Sequence, residues 1–221
     1  MGSAKFAAYL LSGMTACIVA ANCSADQSNF YVGGNFGQSV AKLDNVTNSQ
    51  NSGLTNSGFA VTGNDLNDTD TAFRAFVGYK FNDYFAVEGG YINFGKFSTS
   101  ANTNPAGSAN TELKASGISL DALGMLPLGE TGFSIFGRLG ATRAELKETL
   151  SSSGAVAYVP GTNLNPTATK TVYDYGYGLQ YDYNKLVAFR GEWQVYKKLG
   201  DQNSTGEVDM HFLSMGVLFK F

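Results

Sequence analysis

One segment of the chain reads Phe73-Arg74-Ala75-Phe76-Val77-Gly78-Tyr79-Lys80-Phe81. Every second residue is apolar, and the residues between them are mixed: Arg74, Phe76, Gly78 and Lys80. Successive side chains of a strand point to opposite faces of the sheet. The alternation therefore predicts a β-strand with one continuous apolar face.

The same period of two recurs further along the chain, in Tyr173–Tyr183, Leu186–Tyr196 and Leu213–Phe221. In the first of these, one face is tyrosine-rich, and the other holds Asp174, Gly176, Gly178, Gln180 and Asp182. Long polar stretches and short polar stretches separate the apolar segments in turn. The long ones are 42–69, 98–114, 145–170 and 197–206, and the short ones are 82–84, 127–132 and 182–185.

Three short turns and four long loops connect eight strands, and this asymmetry is typical of outer-membrane barrels. A soluble sheet is the alternative, since it also alternates. The polar faces here mix charge with glycine and serine, which leave room in a crowded interior, and aromatic residues stand at the ends of the apolar faces, as an interfacial girdle requires. A closed barrel also satisfies every backbone group in lipid. We therefore predict an all-β, eight-stranded antiparallel up-and-down transmembrane barrel with short periplasmic turns and long external loops.

Composition excludes several other classes. The net charge is −3 and charged residues make up 15% of the chain, which argues against a nucleic-acid partner. Beyond the N-terminus no apolar run approaches the roughly 20 residues that a membrane helix needs. The mean hydropathy of −0.10 agrees with this.

The first 25 residues read as a secretory signal, with Lys5 as the positive region, an apolar stretch from Phe6 to Ala21, and small residues before Asp26. Residues 26–221 would then form the barrel domain. Both cysteines, Cys17 and Cys23, lie in the signal, so the mature chain would have no disulfide and no thiolate metal site. A lipoprotein signal and a short buried helix are the alternatives for this segment.

The predicted inward faces carry a set of charged residues: Arg74, Lys80, Glu88, Asp121, Arg138, Arg190, Glu192 and Lys220. Asp121 belongs to the set if Ile118, Leu120 and Ala122 face the lipid. Because buried charges are costly unless paired, these residues predict an ion-pair network in the lumen. The network either stabilises a filled barrel or gates a narrow conductance in which Glu88 and Glu192 exchange arginine partners.

Seven short segments, spread over nearly all of the chain beyond residue 26, resemble one family. They are Phe30-Tyr31-Val32-Gly33-Gly34-Asn35-Phe36-Gly37, Gly78-Tyr79-Lys80-Phe81-Asn82, Val87-Glu88-Gly89-Gly90-Tyr91, Arg138-Leu139-Gly140, Gly178-Leu179-Gln180-Tyr181, Arg190-Gly191-Glu192-Trp193-Gln194 and Leu213-Ser214-Met215-Gly216-Val217-Leu218-Phe219-Lys220-Phe221. On these residues the chain resembles the transmembrane domain of the outer membrane protein A (OmpA) family.

The resemblance implies a membrane-anchoring barrel with a periplasmic N-terminus, at most weak pore activity, and interior acids and bases at Glu88, Arg138, Arg190 and Glu192. Gln180 and Ala122 depart from it, since they stand where relatives can carry a charged lumen residue. The chain ends with the barrel, so we expect no peptidoglycan-binding domain. Three residues of the last strand resemble the signal that the barrel-assembly machinery reads: Val217, Phe219 and Phe221.

Catalysis has little support in the sequence. The one histidine, His211, lies three residues before Ser214, which puts the two on opposite faces of a strand. We predict no catalytic residue, no metal site and no cofactor. The expected function is structural and at most weakly pore-forming, in the outer membrane, with its lipids and lipopolysaccharide as partners. One alternative is a surface protein, an adhesin or a receptor for host or phage, that binds external ligands through loops 42–69 and 145–170. A further alternative is a lipid-modifying enzyme of the outer membrane, which would depend on His211.

Overall fold

The computed structural model describes residues 29–158, 160–201 and 205–221. Within them the chain forms, in order, β1 (Phe30–Lys42), α1 (Asp44–Asn56), β2 (Ala60–Asn67), β3 (Thr69–Asn82), β4 (Phe85–Asn104), β5 (Gly107–Pro127), β6 (Phe133–Gly154), β7 (Thr167–Asp182), β8 (Val187–Asp201) and β9 (Gly206–Lys220). The predicted signal segment 1–25, with Cys17 and Cys23, lies outside the described residues.

Eight of these strands close into a ring. Sequential strands from β3 to β9 pair antiparallel, and β1 joins the ends by pairing with β3 on one side and β9 on the other. The predicted eight-stranded up-and-down barrel is thereby confirmed. β2 adds to the outer end of β4, and it continues in the same direction as β3 after a break at Asp68.

The two faces of the barrel reverse the pattern of a soluble protein. Apolar side chains cover the outside, where Phe36 is 65% exposed and Met215 is 77% exposed. Charged side chains such as Arg74 and Glu88 are buried inside. Exposed apolar groups over a continuous band are what a lipid-facing surface requires.

Strand β5 also follows this rule. In β5, Ile118, Leu120 and Ala122 face outward, whereas Asp121 and Leu123 face the lumen. The predicted register of this strand is therefore correct. The expectation that Ala122 replaces a charged lumen residue is wrong, because its side chain points to the lipid.

The four polar stretches predicted as long loops are shorter in the structure. β4 and β5 continue through 98–114 and meet at a tight turn, β6 extends to Gly154, and stretch 42–69 contains α1 and β2. These strand ends lost the apolar alternation because they project beyond the lipid. β6 has 22 residues, and a tilted strand needs only about 9 to 11 to cross the hydrocarbon core.

Helix α1 lies across the external mouth of the barrel. Val46 packs into the upper lumen, and Leu54 packs against Ala101 and Ala109 on the strand ends. The Gln50 side chain donates a hydrogen bond to the carbonyl of Ala109 at 2.9 Å. The predicted external loop thus folds into a cover over the lumen.

Within the described part of the chain, no helix combines the length and apolar character needed to cross a bilayer.

Candidate functional site

Six charged side chains meet halfway along the lumen, and we call them the ionic layer: Arg74, Glu88, Asp121, Arg138, Arg190 and Glu192. They come from five strands, because each occupies an inward position of the two-residue alternation. Each of the six side chains is at most 1% exposed. The layer is therefore sealed from water on both sides.

Glu88 is the centre of the layer. Its Oε2 accepts from Arg74 Nη1 at 3.0 Å and from Arg138 Nη2 at 2.6 Å. Its Oε1 accepts from Arg190 Nη1 at 2.6 Å and from the Tyr31 hydroxyl at 2.9 Å. One carboxylate thus holds three guanidinium groups through charge-assisted hydrogen bonds, of which those from Arg138 and Arg190 are short.

The other two acids complete the charge balance around the arginines. Asp121 Oδ2 accepts from Arg74 Nη2 at 2.7 Å. The Glu192 carboxylate accepts from Arg138 Nη1 at 3.0 Å and from Asn35 Nδ2 at 2.6 Å. Arg138 therefore bridges Glu88 and Glu192.

Two apolar clusters close the lumen on either side of the ionic layer. We call the external one the upper plug, and it includes Phe94, Phe97, Leu113, Leu146, Tyr196 and Phe212. We call the periplasmic one the lower plug, and it includes Tyr31, Phe76, Leu123, Phe136 and Leu218. Arg190 stacks over the Phe136 ring at 4.7 Å from its centroid. Burial between apolar clusters strengthens the ion pairs and makes an unpaired charge there costly.

Glycine makes room for the layer at one position in particular. A Cβ on Gly140 would collide with the carboxylate of Asp121 and approach Asp174 Oδ1 to 2.9 Å. The sequence expectation that inward glycines accommodate neighbouring side chains agrees with this geometry.

The structure does not bring Lys80 and Lys220 into the ionic layer. Lys80 Nζ pairs with Asp83 Oδ1 at 2.9 Å, and Lys220 Nζ pairs with Asp182 Oδ2 at 2.6 Å. Both lysines occupy strand ends beside the short turns, where inward positions reach water. The Lys80 ammonium, as hydrogen-bond donor and as charge, holds the pKa of Asp83 below its usual value.

Sequence reasoning left several neighbours of the layer out of the candidate set. Asp174 is 2% exposed, and its Oδ2 accepts from the Thr142 hydroxyl at 2.7 Å. Gln180 Oε1 accepts from Arg190 Nη2 at 2.9 Å, so Gln180 contacts the ionic layer although its side chain is uncharged. The alternation of β7 already placed Asp174 on the inward face, but nothing in the sequence showed which residues it meets.

The remaining candidates lie on the outer surface. Val217 and Phe219 lie on the outward face of β9, and Phe221 follows the strand with 39% of its surface exposed. Their role as an assembly signal stays a prediction, which the rate of barrel assembly of a Phe221→Ala variant would test. His211 faces outward with its ring 5.6 Å from Trp193, whereas Ser214 is buried in the lumen.

A family model for the OmpA-like transmembrane domain matches residues 25–221. Outer membrane protein A of Serratia marcescens is 29% identical over 150 residues, which cover 66% of this chain and 38% of that protein. Outer membrane protein A of Yersinia pseudotuberculosis matches equally well, with 39% of its length covered. The alignments thus span well under half the length of these relatives.

Solved structures match over more of the chain. Neisserial surface protein A (NspA) superposes with a TM-score of 0.52 at 16% identity, covering 88% of this chain and 98% of that one. Ail, the attachment invasion locus protein of Yersinia pestis, superposes with a TM-score of 0.50 at 15% identity, covering 88% and 99%. At these identities the likeness shows the fold alone.

Proposed function

Because this chain belongs to the family of OmpA-like transmembrane domains and is a protein of the cell outer membrane, we propose that it serves there as a closed, structural β-barrel. The observation that carries the proposal is the sealed ionic layer between two apolar plugs. The side chains of Arg74, Arg138 and Glu88 are 0% exposed, which a water-filled pore would not allow. Conductance then requires the layer to rearrange.

Single-channel recording in planar bilayers tests this proposal. We expect the wild-type barrel to show rare and small openings at most, because an ion would have to separate Glu88 from three arginines. Detergent carrying no protein is the control. Frequent, stable steps of one defined size would contradict the closed barrel and favour the gate in which Glu88 and Glu192 exchange partners.

We also propose lipopolysaccharide as a partner of the barrel's outer surface. Lys96, Lys114 and Lys147 are direct cross-strand neighbours on β4, β5 and β6, and all three face outward. We call them the lysine row. Like charges directly opposite each other are destabilising in a sheet, so the row favours an anionic partner. Glu112 and Glu145 compensate part of the charge.

The position of the lysine row supports a phosphorylated headgroup as that partner. Toward the external end of β5, Ile118 is the last apolar residue on the outward face. The next two outward residues are Ser116 and Lys114. This height is where the hydrocarbon gives way to headgroups. A recess of about 370 Å³ lies between the three lysines.

Replacing Lys96, Lys114 and Lys147 by Gln should weaken lipopolysaccharide binding by roughly a hundredfold, since each basic residue near a charged surface contributes about 1 kcal/mol. The measurement is the lipopolysaccharide retained by the purified barrel at increasing salt. Gln at Lys42, Lys197 and Lys198, which lie on other strands, is the matched control. If both triple variants retained the same amount of lipopolysaccharide, the lysine row would not be its binding site.

A second candidate function is surface interaction through the external end of the barrel. Helix α1 and strand β2 form a folded cover, and the ends of β4, β5 and β6 project well beyond the lipid. Replacing residues 44–58 by a Gly/Ser linker should abolish adherence of cells that display the protein, while heat-modifiable gel migration shows that the barrel still assembles. Unchanged adherence would contradict this function.

The proposal contains no catalytic step. His211 and Ser214 lie on opposite faces, and among the residues described here no three His, Cys, Asp or Glu side chains form a group that could hold a metal ion. Lipid A remodelling that disappears in a His211→Ala variant would overturn this assignment.

A further inference from the structure

A cavity of about 450 Å³ lies at the external mouth, and we call it the mouth cavity. Its walls come mainly from α1, from the ends of β5 and β6, and from residues 156–158, and single residues such as Phe59, Thr162 and Thr205 complete them. The wall combines apolar side chains, among them Val46, Leu54, Phe59 and Leu150, with hydroxyl, amide and carboxyl groups. A cavity of this size and character is typical of small-molecule sites in proteins.

One carboxylate lines this cavity without a counter-ion among the described residues. Glu148 occupies an inward position of β6 and is 8% exposed. Its main-chain N–H donates to the carbonyl of Pro166 at 2.9 Å, but among residues 29–158, 160–201 and 205–221 no basic side chain forms an ion pair with its carboxylate. Burial raises the pKa of Glu148 to about 7. Buried carboxylates are almost always paired in proteins, so a lone one marks a place for a cation.

A second acceptor in the same wall also lacks a partner. Gln50 Nε2 donates to the carbonyl of Ala109, while Gln50 Oε1 is buried with no hydrogen-bond partner in the described structure. The Tyr158 hydroxyl lines the cavity too, and burial together with the charge of Glu148 raises its pKa. The cavity therefore offers unsatisfied acceptor oxygens, which call for a ligand rich in N–H donors.

We infer that the mouth cavity binds a small organic cation, in which a primary ammonium pairs with Glu148 and Gln50 and an apolar body fills the space against Val46, Leu54 and Leu150. An anion is disfavoured by the carboxylate. A bare metal ion is disfavoured because Glu148 is the one carboxylate among the described residues that line the cavity, and no three His, Cys, Asp or Glu side chains of the described residues come together there. This inference deepens the proposed surface interaction and rests on it for its biological meaning.

Calorimetric titration of the whole barrel in a maltoside detergent tests the inference, with phenethylamine as the probe. At pH 8 we expect saturable binding, and we expect 2-phenylethanol, which lacks the ammonium, to bind at least tenfold more weakly. Glu148→Gln should weaken phenethylamine binding at least tenfold. Glu145→Gln, three residues earlier on the outer face of the same strand, should leave it unchanged.

The pH dependence provides a test that needs no variant. Glu148 and Tyr158 are the titratable groups among the described residues that line the cavity. Lowering the pH from 8 to 5 protonates Glu148 but leaves the probe charged, so binding should weaken at least tenfold. Equal binding at both pH values, or equal binding of the alcohol and the amine, would overturn the inference.

Experiment can distinguish failure of the cation site in the mouth cavity from failure of the surface interaction function. A barrel that does not bind phenethylamine, on cells that still adhere through residues 44–58, overturns the cavity site alone. Adherence that survives the replacement of residues 44–58, together with amine binding by the unaltered barrel, overturns the surface function alone.

Discussion

Glu88→Gln should destabilise the barrel by about 3–5 kcal/mol, since removing one member of a buried ion network leaves its partners uncompensated. The neutral side chain keeps the shape of Glu88 but removes the charge that holds Arg74, Arg138 and Arg190. Three guanidinium groups would then share fewer carboxylates between apolar plugs. Denaturant unfolding in lipid vesicles, followed by the fluorescence of Trp193, measures the free energy.

A ranking of variants makes this prediction sharper than one measurement. Glu192→Gln should cost less than Glu88→Gln, because Arg138 keeps its bond to Glu88. Glu145→Gln should change stability by at most about 1 kcal/mol, since its pair with Lys147 is exposed to solvent. If Glu88→Gln unfolds at the denaturant concentration of Glu145→Gln, the ionic layer does not stabilise the barrel.

Phe94→Ala should also cost about 3–5 kcal/mol, because it leaves a cavity in the upper plug. The Phe94 ring is fully buried and meets the Tyr196 ring edge-on at 4.7 Å between centroids. Its neighbours come from strands that are fixed by the closed ring, so the space cannot collapse completely. The same vesicle assay measures the loss.

Phe94→Leu is the matched control, since it keeps most of the volume and should cost less than about 1.5 kcal/mol. Similar stability of the Ala and Leu variants would show that the upper plug is loosely packed. That outcome would also weaken the closed-barrel proposal, which depends on both plugs.

The membrane-spanning part of the fold was readable from local patterns. The direction of a side chain depends only on its place in the strand, so Arg74, Glu88, Arg138, Arg190 and Glu192 could be assigned to the lumen from alternation alone. The same rule failed to separate the middle of the lumen from its ends. Lys80 and Lys220 alternate correctly, yet they stand at the periplasmic rim and pair with turn residues.

The external third was the least readable part. There both faces of the strands are small or polar, as Thr99, Ala101, Thr103, Ala109 and Thr111 illustrate for the inward side. Without lipid to impose an apolar face, the sequence of a projecting strand resembles that of a loop. Backbone pairing across β4, β5 and β6 nevertheless continues, because each strand extends a ladder that the membrane part has already aligned.

The amino-acid sequence by itself determined eight strands, their inward and outward faces, and a lumen that carries both acids and bases. Only the tertiary structure decided that Glu88 stands among three arginines and that α1 covers the mouth. Side-chain direction is a local property of each strand, but partners such as Glu88 and Arg190, which lie 102 positions apart, meet only once ring closure sets the register between distant strands.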